Sequence, residues 1–154
     1  MEFQVYGVPV PQGSKTPVKN KQGRIVGSRE ANDKTLRPWR QELADAARRM
    51  ASIAGCLDGP IRLRVTFRFP MPASAPKRAR DRGWRMKWVM PDQDKLVRAI
   101  GDGLKAGGLI KDDARICDTR MRKIEVWDDW TGAEIALWRL SEDGEPVPDE
   151  LGGF

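Results

Sequence analysis

The segment of residues 61–69, IRLRVTFRF, constrains the fold more than any other part of the chain, because apolar and polar side chains alternate through it without a break. Successive side chains of a β-strand point to opposite faces, so this alternation predicts a strand with one buried face. Its other face carries Arg62, Arg64 and Arg68. Such a strand belongs in a sheet with a covering layer, and its arginines fit either a solvated face or a face that contacts phosphate.

The rest of the chain predicts helices as well as strands. Local patterns predict helices over residues 35–54 and 94–105 and strands over residues 3–8, 86–90, 116–126 and 133–140. The polar residues 12–34 predict a long loop or a short hairpin around Gly23, and residues 72–87 predict a basic loop that contains Trp84. The sequence DDWTG predicts a hairpin turn between the last two strands. This order indicates a single α+β domain, with a mixed β-sheet, two main helices packed on one face and a C-terminal β-hairpin.

The distribution of charge favours a polyanionic partner. The formal net charge is +6, and the last 14 residues hold five of the 22 acidic residues and none of the 28 basic ones, so the rest of the chain carries about +11. We therefore expect a basic, DNA-binding domain over residues 1–140 and an acidic, flexible tail over residues 141–154. No membrane span or signal-peptide pattern is visible, so we expect a cytoplasmic protein.

The chain contains no histidine. This excludes Ser-His-Asp and Cys-His catalysis and zinc sites built on imidazole. Hydrolytic chemistry would have to use carboxylates, lysine, arginine and metal-bound water. Because hard oxygen ligands select Mg²⁺ or Mn²⁺, a cluster of aspartates is the kind of site to expect.

An acidic pair at Asp92 and Asp94 is the first candidate for such a site. Side chains two residues apart point in nearly opposite directions in a helix but lie on one face of an extended strand. Because Pro91 favours an extended chain before it, we predict that the pair ends a strand and that Asp94 caps a helix beginning at Lys95. Arg98 then lies one turn along the same helical stripe. Acidic residues at a helix start also fit simple stabilisation of the helix dipole.

Three more carboxylates follow this pair. Asp102 lies about 12 Å from Asp94 along the helix axis, too far to share an ion, so we expect it to hold Arg98 in place or to have no specific role. Asp112 and Asp113 are neighbours, and we expect the chain to be extended there. Their side chains should point opposite ways, so at most one of them is expected to face a metal.

From Pro91 to Asp113 the sequence PDQDKLVRAIGDGLKAGGLIKDD resembles the signature of the RusA family of Holliday junction resolvases. That signature is D-x-D-[NK]-L-x-[KR], an Asp four residues later, a Gly-rich turn and a D-D pair; a weaker similarity covers residues 3–140. The resemblance implies that Asp92, Asp94 and Asp113 bind Mg²⁺, with Mn²⁺ as a substitute. It also implies a homodimer that nicks two opposing strands of a four-way DNA junction, and a phage or prophage origin in a bacterial host.

The resemblance also covers the residues around the three aspartates. Asp112 and Asp102 match further acidic positions of the family pattern, whereas Arg98 stands where the family has a catalytically important lysine. A guanidinium keeps the positive charge that binds phosphate but does not transfer a proton, so Lys95 or Lys111 would have to perform any proton transfer.

Basic residues outside the acidic motif are expected to hold the DNA backbone. They are Lys15, Lys19, Arg24, Arg62, Arg64, Arg68, Lys77, Arg78 and Arg80. Two alternatives stay open: a nuclease that acts on flaps, forks or other branched DNA, and a junction-binding protein that has lost catalysis, for which Arg98 is the one hint.

Overall fold

The segment IRLRVTFRF forms the middle strand of a five-stranded sheet in the computed structural model, which describes residues 1–13, 15–30 and 33–148. The elements in chain order are β1 (Glu2–Tyr6), β2 (Lys15–Lys19), β3 (Ile25–Glu30), α1 (Asp33–Ala54), β4 (Ile61–Pro70), α2 (Lys77–Arg82), β5 (Trp84–Met86), α3 (Gln93–Ala106), a 3₁₀ turn (Asp113–Arg115), β6 (Ile116–Val126) and β7 (Gly132–Arg139). The main sheet has the strand order β1-β7-β4-β6-β5, and β2 and β3 form a separate hairpin. Because β4 pairs parallel with β6 and antiparallel with β7, the sheet is mixed.

One face of β4 forms the centre of the hydrophobic core. Leu63, Val65 and Phe67 have no exposed surface and belong to one cluster with side chains of α1 and α3. Burial of each such side chain stabilises the fold by about 1.5–3 kcal/mol. The two helices approach closely at Gly103, where a Cβ atom would lie 2.6 Å from the Cβ atom of Leu43. The predicted α+β class, with a mixed sheet and two main helices, is confirmed.

The last strand, β7, links the edge strand β1 to the rest of the sheet. It pairs antiparallel with β4 on one side and with β1 on the other, so β1 joins the sheet through β7. Strands β6 and β7 run antiparallel and are joined by the short segment 127–131, as predicted, but β4 lies between them and is the hydrogen-bonding partner of both. A Cβ atom at Gly132 would lie 1.9 Å from the carbonyl oxygen of Val5, so only glycine fits at this crossing.

Some local predictions differ from the structure. Residues 72–87, expected to be a loop, contain α2 and β5, and the strand expected over residues 86–90 ends at Met86. Strand β5 forms by pairing with the far end of β6, a partner that the local sequence pattern does not contain. The hairpin around Gly23 is confirmed as β2 and β3.

The chain after β7 continues as a turn against the domain. The backbone amide of Val147 donates to the carbonyl of Arg139 at 2.9 Å, and Leu140 forms a β-bridge with Pro146. Residues 149–154 of the expected acidic tail lie outside the described residues. Within the described part of the chain, none of the helices has the length and apolar character needed to cross a membrane.

Candidate active site

The acidic pair lies at the N-terminus of α3, but the helix begins earlier than predicted. Asp92 is extended, with φ −68° and ψ 143°, and is the N-cap residue, whereas Asp94 lies in the first helical turn. The expectation that Asp94 caps a helix beginning at Lys95 is therefore wrong, and the extended conformation predicted for both aspartates is found at Asp92. Within the described chain the Asp92 carboxylate makes no capping hydrogen bond, and it lies 3.2 Å from the Nζ atom of Lys95. The carboxylate thus remains accessible beside a cation.

A buried lysine holds the segment that leads into this pair. The side chain of Lys123, on β6, is 9% exposed, and its Nζ atom donates to the carbonyl oxygens of Val89 at 2.9 Å and Pro91 at 2.7 Å. Ion–dipole hydrogen bonds of this kind are stronger than neutral ones. Sequence reasoning missed Lys123. The signal in the sequence was the two-residue alternation of β6, which puts Lys123 on the same inward face as Met121.

The solvent-facing stripe of α3 carries the next residues of the motif. Asp94 and Arg98 are exposed and lie one helical turn apart, and Asp102 follows after another turn, half-buried. Among the described residues, Arg98 has no ion pair. Its guanidinium is therefore available to an incoming anion.

The 3₁₀ turn brings the last aspartates against the same helix. A Cβ atom at Gly101 would lie 3.2 Å from the Cβ atom of Asp113, so glycine permits this close approach. Asp112 is the N-cap of the turn: its carboxylate accepts a hydrogen bond from the Ala114 amide at 3.0 Å and one from Lys105 at 2.6 Å. The hydrogen bond from Lys105 has the largest effect and that from the Ala114 amide the next largest, and they lower the pKa of Asp112 to about 2. Asp112 is thus engaged by the protein, and Asp113 is the exposed member of the pair.

The three aspartates of the motif are not gathered around one point. Gly101, on which Asp113 packs, is seven residues from Asp94, about 10 Å along the helix axis. In residues 1–13, 15–30 and 33–148, no group of three acidic or sulfur side chains is close enough to hold a metal ion. The carboxylate oxygens are nonetheless the donor type that Mg²⁺ and Mn²⁺ prefer. The donor chemistry therefore fits these metals, and the metal site stays a prediction.

The arginines of β4 are not on the α3 side of the sheet, and their charges are already paired. Arg62 pairs with Asp118 at 2.5 Å and Arg64 with Glu2 at 2.6 Å, while Arg68 pairs with Asp129 and Glu134. Arg64 and Arg68 also stack on the rings of Trp138 and Trp130. Their charges are therefore largely compensated within the protein.

Two unpaired arginines lie beside them on β6. In the part of the chain that the structure describes, Arg120 and Arg122 have no ion pair, and both line a shallow open depression of about 780 Å³ on this face. Sequence reasoning missed them because the alternation of β6 is less regular than that of β4. Arg120 and Arg122 follow Asp118 by two and four residues, so the alternation that puts Asp118 on this face could have indicated both arginines.

The other expected DNA contacts are spread over separate elements. Lys77 pairs with Asp81, Arg78 is exposed, and Arg80 stacks on Trp127. Lys19 and Arg24 are exposed on the β2–β3 hairpin, and the side chain of Lys15 lies outside the described residues. Those that the structure describes lie on the β2–β3 hairpin, β4 and α2, and their contact with DNA stays a prediction.

A protein-family model matches most of the chain. The family model described as endodeoxyribonuclease RusA matches residues 7–137, a range that includes α3, the 3₁₀ turn and all the aspartates discussed above. Among curated proteins, none matches the chain significantly.

Proposed function

The chain belongs to the RusA family of endodeoxyribonucleases, and on this premise we propose that it hydrolyses phosphodiester bonds in four-way DNA junctions at a site formed by Asp92, Asp94 and Asp113. The observation that carries the proposal is that the family match includes an accessible aspartate pair at the start of α3 and an exposed aspartate packed on the same helix. The three carboxylates would hold one or two Mg²⁺ ions, or Mn²⁺ in their place. When bound, such an ion lowers the pKa of coordinated water and stabilises negative charge on the phosphate.

The neighbouring residues support this division of roles. Asp112 is engaged by Lys105 and by a backbone amide, which leaves Asp113 as the ligand of the pair. Arg98 would contact the phosphate, a role that its permanently charged guanidinium can fill in place of lysine. If a lysine is needed for proton transfer, Lys95 is the better candidate, because it lies beside Asp92 while Lys111 is paired with Asp58 at 2.8 Å.

The finer features of the proposal come from the family. The protein would act as a homodimer in which each copy nicks one of two opposing strands, in the cytoplasm of a bacterial host and with a phage or prophage origin. Recombination and repair of DNA would be its setting.

Cleavage of a synthetic four-way junction with Mg²⁺ tests the proposal. Wild-type protein is expected to nick two opposing strands, and Asp92→Asn is expected to reduce cleavage to the level seen without metal. Asp45→Asn, which removes a carboxylate of α1 that pairs with Arg48 outside the site, is the matched control and should retain cleavage. Equal cutting by wild type and Asp92→Asn would refute the site.

Two further measurements separate the alternatives. Titration with Mn²⁺ followed by electron paramagnetic resonance should show weaker binding to Asp113→Asn than to wild type, independently of cleavage. Parallel assays on a junction, a fork, a flap and a linear duplex would identify a nuclease of different specificity. Junction binding without cleavage in either metal would indicate a protein that has lost catalysis.

A further inference from the structure

Residues 84–90, WRMKWVM, place apolar side chains in water and charged side chains inside. Trp88 is 78% exposed and Met90 67% exposed, and Trp84, Met86 and Val89 are also exposed. We call these five residues the apolar ridge. The alternating Arg85 and Lys87 are turned inward, with side chains only 20% and 13% exposed. This is the reverse of what the hydrophobic effect favours in an isolated strand.

Buried charges on β6 hold the ridge in this orientation. Glu125, 4% exposed, accepts hydrogen bonds from Arg85 at 2.5 Å and Lys87 at 3.1 Å. Lys123 binds the backbone carbonyl of Val89 from the same side, and the amide of Lys87 donates to the carbonyl of Lys123 at 3.0 Å. The apolar side chains are therefore exposed on a fixed support. Several large apolar side chains exposed within one short segment indicate an interaction site.

The surroundings of the ridge indicate the kind of partner. Arg82 lies over the ring of Trp84 with its guanidinium carbon 5.2 Å from the ring centroid, and Arg85 lies over Trp88 at 5.6 Å. The exposed Arg78 precedes them on α2. Aromatic faces next to arginine suit a polyanion whose bases can stack, and they suit an uncharged protein surface less well. Trp88, Val89 and Met90 directly precede Pro91 and Asp92 in the chain, so a partner bound at this end of the ridge would lie next to the candidate active site.

We propose that the apolar ridge, with Trp88 at its most exposed point, stacks on the bases that are unpaired or partly unstacked at the branch point of a DNA junction. This proposal rests on the proposed function. Bases inside a continuous duplex offer no free face, whereas bases at a branch can be displaced onto an aromatic ring at low cost. The ridge would therefore favour branched over linear DNA beside the bond that is cut.

The test uses junctions that carry 2-aminopurine either at the branch point or within one arm, with binding measured in EDTA. Wild-type protein is expected to change the fluorescence of the branch-point probe. Trp88→Ala should abolish this change and weaken junction binding by about 10-fold, within the range for one base stacked on an aromatic ring. Binding to linear duplex should stay the same. Trp88→Phe should restore the signal, and Ile53→Ala, which removes a side chain that is 72% exposed on α1, is the matched control.

The outcomes separate this inference from the function on which it rests. If wild-type protein cuts junctions and Trp88→Ala binds and perturbs the probe as wild type does, the stacking proposal is wrong and the nuclease assignment stands. If Trp88→Ala instead changes the sedimentation coefficient and leaves the probe signal intact, the ridge is a protein–protein interface and the proposal is also overturned. If wild-type protein neither binds nor cuts junctions, both proposals fall.

Discussion

Replacing Lys123 with methionine removes the ammonium that binds two carbonyl groups in the segment before Asp92. Methionine has a similar length, so the change deletes the charge and the hydrogen bonds and leaves little empty space. The two bonds measure 2.9 Å to Val89 and 2.7 Å to Pro91, and the side chain that makes them is buried. Both carbonyl oxygens would lose this partner.

The expected cost follows from these contacts. A hydrogen bond to a charged group contributes about 1.5–3 kcal/mol, and a buried lysine loses part of that gain through desolvation. For two such bonds, partly offset by the apolar methionine, we expect the free energy of unfolding to fall by about 2–4 kcal/mol. Junction cleavage should fall as well, because the segment that positions Asp92 loses its anchor.

Urea denaturation followed by tryptophan fluorescence measures this loss, and the cleavage assay measures its effect on the site. Arg122→Met is the matched control, because Arg122 is the adjacent, exposed residue of the same strand, and it should change stability by no more than about 0.5 kcal/mol. Lys123→Arg should retain part of the stability. If Lys123→Met is as stable as the control, the two carbonyl contacts do not stabilise the segment before Asp92.

Two other perturbations have definite expected results. Gly101→Ala should leave the free energy of unfolding unchanged or raise it, because alanine favours a helix by about 1 kcal/mol over glycine. It should nevertheless slow cleavage, because the new Cβ atom, 3.2 Å from that of Asp113, displaces this aspartate. Urea denaturation and cleavage are measured on the same variant, and unchanged cleavage would contradict the role of Asp113. Asp58→Asn should reduce the loss of stability on acidification, since the hydrogen bond from Lys111 lowers the pKa of Asp58 below 3.8. The stabilising contribution of the ionised Asp58 is present above pH 3.8 and is lost as the pH falls below this value. Equal slopes of unfolding free energy against pH below 4 for wild type and Asp58→Asn would contradict this contribution.

Periodic segments of the sequence predicted their structure well, and segments with distant partners did not. β4 was predictable because its two-residue alternation is strict and both of its faces follow from it. Residues 84–90 were not predictable in this way. Contacts with Glu125 and Lys123 turn the charged side chains of this segment inward and leave its tryptophans exposed, the reverse of the usual preference. Strands β6 and β7 were predicted from their own patterns, but the insertion of β4 between them is a long-range property.

The candidate site shows the same division. The residue types and their spacing identified the aspartates of the motif, and the family match covers all of them. The sequence did not indicate that Asp112 would be occupied by Lys105, or that the β4 arginines would be neutralised by acids on β1, β6 and β7. Each of these contacts depends on a residue from another element, and therefore on the folded arrangement.

The position of β7 between β1 and β4 has a consequence for how the protein is made. A ribosome releases the first strand long before the last, yet β1 reaches the sheet only through β7. Until residues 132–139 have left the exit tunnel, the emerging chain can assemble β4 with its helices but has to keep β1 unpaired. A nascent chain stalled before Gly132 should therefore be cut by protease near its N-terminus, and release of the final strand should protect both ends at once.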